Sequence, residues 1–287
     1  MWPKKSSTTH RRMSVPLAVD ARALYAEAYR ERFAMPAFNV CNLEMAQGCL
    51  AAAEGESAPI ILQTYPGDLE HGGEALAALL RSLIGGAGVP VILHLDHGQE
   101  LEMVAECLGR GYSSVMFDGA DLELEENIER TRRISEVAHA FSASTEGELG
   151  LFGGDHGSVR YTDPDEAGRY AAESGADTLA VSVGSEHHQR SRLELGRLEK
   201  VAHSTGHPLV LHGGSGIDPD DIREAVGMGV VKINIGHAIS KAMAVGAREG
   251  LSEALDHYGM LKVMRERVRE VAADKIRLMD ATGRTRR

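Results

Sequence analysis

Val91-Ile-Leu-His-Leu-Asp-His97 begins as a buried strand and ends as a set of ionisable groups. Pro90 precedes it and Gly98 follows it, and Val91, Leu93 and Leu95 alternate with Ile92, His94 and Asp96. A core strand has no packing reason to finish in this way, because a buried polar group without a partner costs on the order of a few kcal/mol. A hydrogen-bonded core pair beside a surface histidine would also account for these residues, since structural networks gather such groups too. What separates the two readings is whether the pattern recurs along the chain.

It does. Apolar runs of strand length stand at 36–40, 59–63, 114–118, 141–149, 178–183, 208–211 and 230–235, and 91–96 brings the number to eight. Segments with helical spacing fill the gaps at 19–32, 43–54, 74–84, 100–108, 123–140, 193–204, 218–227 and 238–254, and Asp163-Pro-Asp-Glu166 has the form of a capped helix start. A last amphipathic helix covers 261–279, ahead of a basic tail. No linker or shift of composition interrupts the alternation. The pattern predicts an α/β fold, a single (β/α)8 TIM barrel with an N-terminal helix and an extra C-terminal helix, rather than a doubly wound sheet. Residues 1–14 are basic and polar and read as a disordered arm, with Met13 as an alternative start, and 15–287 read as one domain.

Composition narrows the class. Of 287 residues, 43% are hydrophobic and 25% charged, as in soluble globular proteins. A net charge of −11 disfavours a nucleic-acid surface. No apolar run approaches the ~20 residues of a membrane span, and residues 1–12 lack the apolar core of an export signal. A cytoplasmic enzyme is the expectation, without nucleic-acid or membrane partners. Cys41, Cys49 and Cys107 are odd in number and widely spaced, which argues against both a disulfide framework and a cysteine zinc site.

A barrel of this kind carries its chemistry at the C-terminal ends of its strands. The third strand ends in Asp96-His97. The fifth holds Glu146 and Glu148, two apart and so on one face. The sixth runs into Glu186-His-His188, the seventh into His212-Gly-Gly-Ser-Gly216, and the eighth carries Lys232 and Asn234 ahead of Gly236-His237. His97, His187 and His212 are three imidazoles at one mouth, which suits zinc or a similar divalent ion with one open position, and Glu148 could be a fourth ligand or an orienting partner. Asp96 beside them suits a proton donor and acceptor. Strict alternation would put Asp96 and His97 on opposite faces, so the chain is expected to be leaving the strand at His97. His94 reads as a core or supporting residue, and His10, His71, His139, His203 and His207 as ordinary ones. The Gly-rich segments after strands seven and eight, 213–216 and 234–237, stand where barrels of this kind often bind phosphate.

With these residues in place, the chain resembles the class II, metal-dependent ketose-bisphosphate aldolases, in particular their fructose-/tagatose-bisphosphate branch. The resemblance runs from about 36 to 241 and rests on Pro-Ala-Phe-Asn39, His94-Leu-Asp-His97, Ser-Val-Met-Phe-Asp-Gly119, Glu146-Gly-Glu-Leu-Gly150 with Gly153-Gly154, Tyr-Thr-Asp-Pro164, Leu-Ala-Val181, Leu-His-Gly-Gly-Ser-Gly216 and Lys-Ile-Asn234. It implies a lyase in which His97, His187 and His212 hold one Zn2+, Glu148 is an alternative or outer ligand, and Asp96 is the acid/base. A phosphorylated ketose would be split into dihydroxyacetone phosphate and an aldehyde through a metal-stabilised enediolate. A second divalent or monovalent cation stays open, as does a homodimer or homotetramer. Asn39, Gly213, Gly214, Ser215, Asn234 and Gly236 would contact the sugar phosphate.

Three positions depart from the family pattern. His156 stands where the family has a Glu that exchanges the second proton, His188 where it has a Gly, and His237 where a Thr meets phosphate. All three changes introduce histidine at substrate-contacting positions, which points to a changed substrate or altered chemistry. A different metal-assisted isomerase or hydrolase, or a non-catalytic sugar-phosphate binder, is the alternative on the same barrel.

Overall fold

The structure, a computed structural model, describes residues 19–151, 159–185 and 190–285. Eight parallel strands form a closed barrel in chain order: β1 Met35–Asn39, β2 Ile60–Thr64, β3 Val91–Gly98, β4 Ser114–Phe117, β5 Ser144–Leu149, β6 Thr178–Val181, β7 Leu209–Leu211 and β8 Val230–Ile235. β1 pairs with β8 to close the ring, with Ala37 opposite Asn234. The strands are buried on both faces, by helices outside and by each other's side chains inside, which is why most of them read as near-continuous apolar runs; β5, Ser144-Thr-Glu-Gly-Glu-Leu149, is buried yet polar.

The helices are α1 Ala21–Glu31, α2 Leu43–Glu56, α3 Pro66–Gly85, α4 Leu101–Gly109, α5 Leu124–Ala140, α6 Pro164–Glu173, α7 Leu195–Thr205, α8 Pro219–Met228, α9 His237–Ser252 and α10 His257–Leu278. Aspartates start several of them as the sequence promises. Asp163 accepts from the backbone N–H of Asp165 and Glu166 ahead of α6, and Asp218 accepts from Asp220 N–H ahead of α8, each with Pro at the first helical position. No helix among the described residues is long and apolar enough to cross a membrane.

α3 is longer than the spacing predicts. It begins at Pro66 rather than Glu74, because Asp68 in the first turn closes the start of the helix, its carboxylate accepting from Tyr65 N–H at 3.1 Å, and Pro66 stands at the first helical position. The helix is broken within by Gly73, at φ 50° and ψ −142°, which is why the regular apolar spacing starts only after that glycine. The fifth strand is shorter than predicted: Phe141 caps α5 and Ser142 turns at φ 60°, so β5 begins only at Ser144.

α1 and α10 are the additions to the eightfold plan. Tyr25 of α1 is buried, and its hydroxyl lies 3.5 Å from Ser114 Oγ at the N-terminal end of β4. α10 packs between α2 and α9 through close backbone approaches: a Cβ on Gly48 would lie 2.7 Å from Val268, and one on Gly246 would lie 2.6 Å from Met264.

Candidate active site

β3 carries Asp96 and His97 to the C-terminal mouth, and the way it does so differs from expectation. The chain does not leave the strand at His97. It bulges there: His97 takes a left-handed φ of 53° and the β3–β4 register shifts between Leu95 and Gly98. The extra residue turns both Asp96 and His97 toward one pocket. Histidine is among the few non-glycine residues that enter this region with any frequency. The next position must be glycine, since a Cβ on Gly98 would stand 2.5 Å from the Met116 carbonyl oxygen.

Side-chain amides hold Asp96. Asn39 Nδ2 of β1 and Gln63 Nε2 of β2 each donate to Oδ2 at 2.9 Å, and Asn234 Nδ2 of β8 donates to Oδ1 at 2.9 Å. Gln63 also donates to Asn39 Oδ1 at 3.0 Å, so that side chains of four strands, β1, β2, β3 and β8, form one polar layer. Burial alone would raise the Asp96 pKa. The nearby His97, Lys232 and His212 charges and the Asn39 hydrogen bond outweigh that and bring it to about 2. Asp96 is therefore a carboxylate at any physiological pH.

His97 and His212 meet edge to face with ring centroids 4.8 Å apart. Each is tied on one nitrogen to a carboxylate: His97 Nδ1 lies 2.8 Å from Asp118 Oδ2, at the end of β4, and His212 Nε2 lies 3.2 Å from Glu146 Oε1 of β5. Burial works against protonation of His97, yet the Asp96, Asp118 and Glu148 carboxylates raise its pKa to about 10. Glu148 is pushed well above the usual carboxylate range, first by burial and then by Asp118. Among the described residues its Oε2 has no hydrogen-bond partner, and it lies 3.9 Å from His97 Nδ1. Gly147 lets the two glutamates share the inner face, because a Cβ there would strike the Tyr170 hydroxyl at 2.2 Å.

These groups suit a divalent cation. Ligand atoms of Asp96, His97 and His212 lie within 4.8 Å of one another, and so do those of His97, Asp118 and Glu148. An orphaned buried carboxylate oxygen beside two imidazoles braced by carboxylates is the donor set of a metal site.

The pocket above has a volume of about 470 Å³ and is lined by Asn39, Tyr65, Asp96, His97, Gly213, Ser215, Asn234, Gly236, His237 and Ser240. His212 and Glu148 lie buried beneath it. Gly213, at φ 67°, turns the loop after β7, and Ser215 Oγ accepts from Ala238 N–H at 3.1 Å, linking that loop to the first turn of α9. Gly214 does not line the pocket but packs the two loops together behind it. Its N–H donates to Asn234 C=O at 3.0 Å, and a Cβ would meet Ile233 at 2.3 Å. His156, His187 and His188 lie outside the described residues.

Four participants were not foreseen. Gln63 and Asp118 close strands two and four at the C-terminal mouth, the same position that singled out Asp96, but Gln and Asp are such ordinary strand-end residues that neither stood out. Tyr65 and Ser240 carry no signal in the sequence.

The family model for Fructose-bisphosphate aldolase class-II matches residues 19–284. Among relatives, the chain is 32% identical over 282 residues to the sulfofructosephosphate aldolase of Alkalicoccus urumqiensis, covering 93% of this chain and 98% of that one. It is 33% identical over 304 residues to the fructose-bisphosphate aldolase of Thermus caldophilus, covering 93% and 100%. The crystal structure of the YdjI aldolase from Escherichia coli K12 superposes with a TM-score of 0.87 at 32% identity, over 94% of this chain and 100% of that one.

Proposed function

The chain belongs to the class II fructose-bisphosphate aldolases and is a carbon–carbon lyase, and from that premise we propose that it cleaves a phosphorylated ketose at the pocket above Asp96, His97 and His212. The observation that carries this reading is the Asp96 carboxylate, fixed by Asn39, Gln63 and Asn234 beside a pair of braced imidazoles.

In the proposed reaction Asp96 accepts the proton from the hydroxyl on the carbon that becomes the aldehyde. The carbon–carbon bond breaks and its electron pair stays with the ketone-side fragment. In condensation Asp96 returns the proton. The amide clamp keeps the carboxylate in place through both directions, so no reorientation is needed at the moment of transfer. His97 and His212 would hold a zinc ion, through Nε2 and Nδ1 respectively since the other nitrogens face Asp118 and Glu146; Glu148 is an alternative or outer ligand. Bound there, the ion supplies Lewis-acid stabilisation of negative charge on the substrate oxygens.

Gly213, Ser215 and Gly236 with the N-terminus of α9 are the proposed phosphate cradle, where backbone N–H groups and the helix dipole favour an anion. His237 opens that helix and adds an imidazole at the cradle's edge. The roles implied for His187 as third imidazole, His156 in exchange of the second proton and His188 at the substrate remain part of the proposal.

Metal analysis of the purified protein, paired with cleavage assays on fructose and tagatose bisphosphates, tests the reading. About one zinc per chain is expected, with cleavage lowered about 10²- to 10⁴-fold in Asp96→Ala while zinc is retained. A metal-free protein, or an Asp96→Ala variant as active as the native one, refutes it.

A further inference from the structure

Beneath the pocket the barrel interior holds an ion pair that the proposed reaction does not use. Lys232 of β8 and Glu146 of β5 have no exposed surface, and Lys232 Nζ lies 3.0 Å from Glu146 Oε1 and 2.9 Å from Oε2. Such a pair is an expensive way to fill a core. Two apolar side chains of the same size are commonly as stabilising or more so, because both charges must be stripped of water. Its presence therefore asks for a role beyond stability, and the geometry supplies one. Oε1 of Glu146 is shared: it lies next to Lys232 Nζ on one side and 3.2 Å from His212 Nε2 on the other.

We propose that Lys232 is a positioning residue for the metal centre, anchoring Glu146 so that its carboxylate accepts from His212 Nε2–H and thereby sets the tautomer and orientation of that ring. The inference rests on the reading of His212 as a metal ligand. A ring that donates from Nε2 has its lone pair on Nδ1, so the nitrogen that meets the ion is chosen by the carboxylate behind it. Glu146 by itself is a poor anchor. Its other ionisable neighbour among the described residues, His94 Nε2, is 3.7 Å from Oε2 and is held elsewhere through Nδ1 to Ser114 Oγ at 2.7 Å. Lys232, reaching across the interior from β8, contacts both oxygens and pins the carboxylate. Register supports the arrangement: Lys232 lies opposite Val210 of β7, two residues before His212, so the lysine sits one layer below the imidazole whose partner it fixes.

The test uses the full-length chain stripped of metal. Zinc affinity is measured by competition with a chromophoric chelator for the native protein, Lys232→Met and His212→Ala. Nitrogen-15 histidine spectra of the metal-free proteins report the His212 tautomer. The expected result is zinc affinity about 10- to 100-fold weaker in Lys232→Met, with His212 no longer held as the Nε2–H form. Retained affinity, within about twofold, and an unchanged tautomer in a folded Lys232→Met protein, alongside lost affinity in His212→Ala, overturn the positioning role alone. Retained affinity in His212→Ala overturns the ligand reading beneath it. Should Lys232→Met fail to fold, the Glu146→Gln/Lys232→Met pair leaves no unpaired charge in the core; native-like zinc affinity in that variant overturns the proposal, and a comparable 10- to 100-fold loss supports it.

Discussion

His97 shows how one residue can be strained, charged and chemically placed at once. Its left-handed backbone turns it to the side of Asp96, and Asp118 then fixes its ring. The sign of its titration follows from that setting. A free imidazole loses its proton near 6.5, whereas here three carboxylates outweigh burial and hold the proton up to about 10. In the metal-free protein at neutral pH the ring is therefore protonated, and an incoming cation must displace that proton. Zinc uptake at pH 7 should release about one proton from this ring, and apparent affinity should rise by roughly tenfold per pH unit toward pH 10. Calorimetric titrations in buffers of different ionisation enthalpy measure the released proton directly; uptake without proton release would contradict the charge assigned to His97. Asp96 and His97 were both legible as functional residues in the sequence. The bulge that lets them share a face was not, because alternation is a local rule and the register shift depends on how β4 pairs beside β3.

At the scale of the element, glycines decide where charged strands can run. Glu146 and Glu148 face inward because Gly147 between them faces α6, where the Tyr170 ring leaves no room for a methyl group. Tyr170 is in turn bonded to Thr131 Oγ1 at 2.6 Å, which fixes the ring from α5. Gly147→Ala should cost about 1–3 kcal/mol by overpacking. For a chain of this size that lowers the melting temperature by several degrees, at about 2–4 °C per kcal/mol. Gly227→Ala in α8 is the contrast. Nothing among the described residues lies within 4 Å of its added Cβ, and helix propensity favours the change by up to about 1 kcal/mol. Differential scanning calorimetry of the two variants should show shifts of opposite sign; equal shifts would mean that the Tyr170 contact does not govern β5. The glutamates' common face was readable from their spacing, whereas the tyrosine that explains the glycine is a contact across 23 positions of sequence and left no mark in the pattern.

At the scale of the molecule, α10 belongs to the barrel and not to its periphery. Val268, Ala272, Ala273 and Ile276 are buried, and the helix lies against α2 and α9 through the close approaches at Gly48, Gly246 and Gly250. Its buried face covers its own chain, against α2 and α9. A chain ending at Asp256 would expose the apolar faces of α2 and α9, and with a core that cannot close it should lose its cooperative thermal transition. A sharp melt with native near-ultraviolet dichroism in the truncated protein would show that the eight βα units stand without it.

The sequence by itself determined the eightfold alternation, the mouth at which the chemistry gathers and the family to which the chain belongs, because each is written in periodicity or in short contiguous motifs. Asp96, His97, Glu148 and His212 could be named from their places at strand ends. Only the tertiary structure decided what those residues are bonded to. The amide clamp on Asp96 joins β1, β2 and β8, the brace on His97 comes from β4, and the brace on His212 is a charge pair spanning β5 and β8. Those partners are up to 138 positions apart in the chain. What brings them within reach of one another is closure of the barrel, a property of register and shear around the whole ring that no local stretch of residues can express.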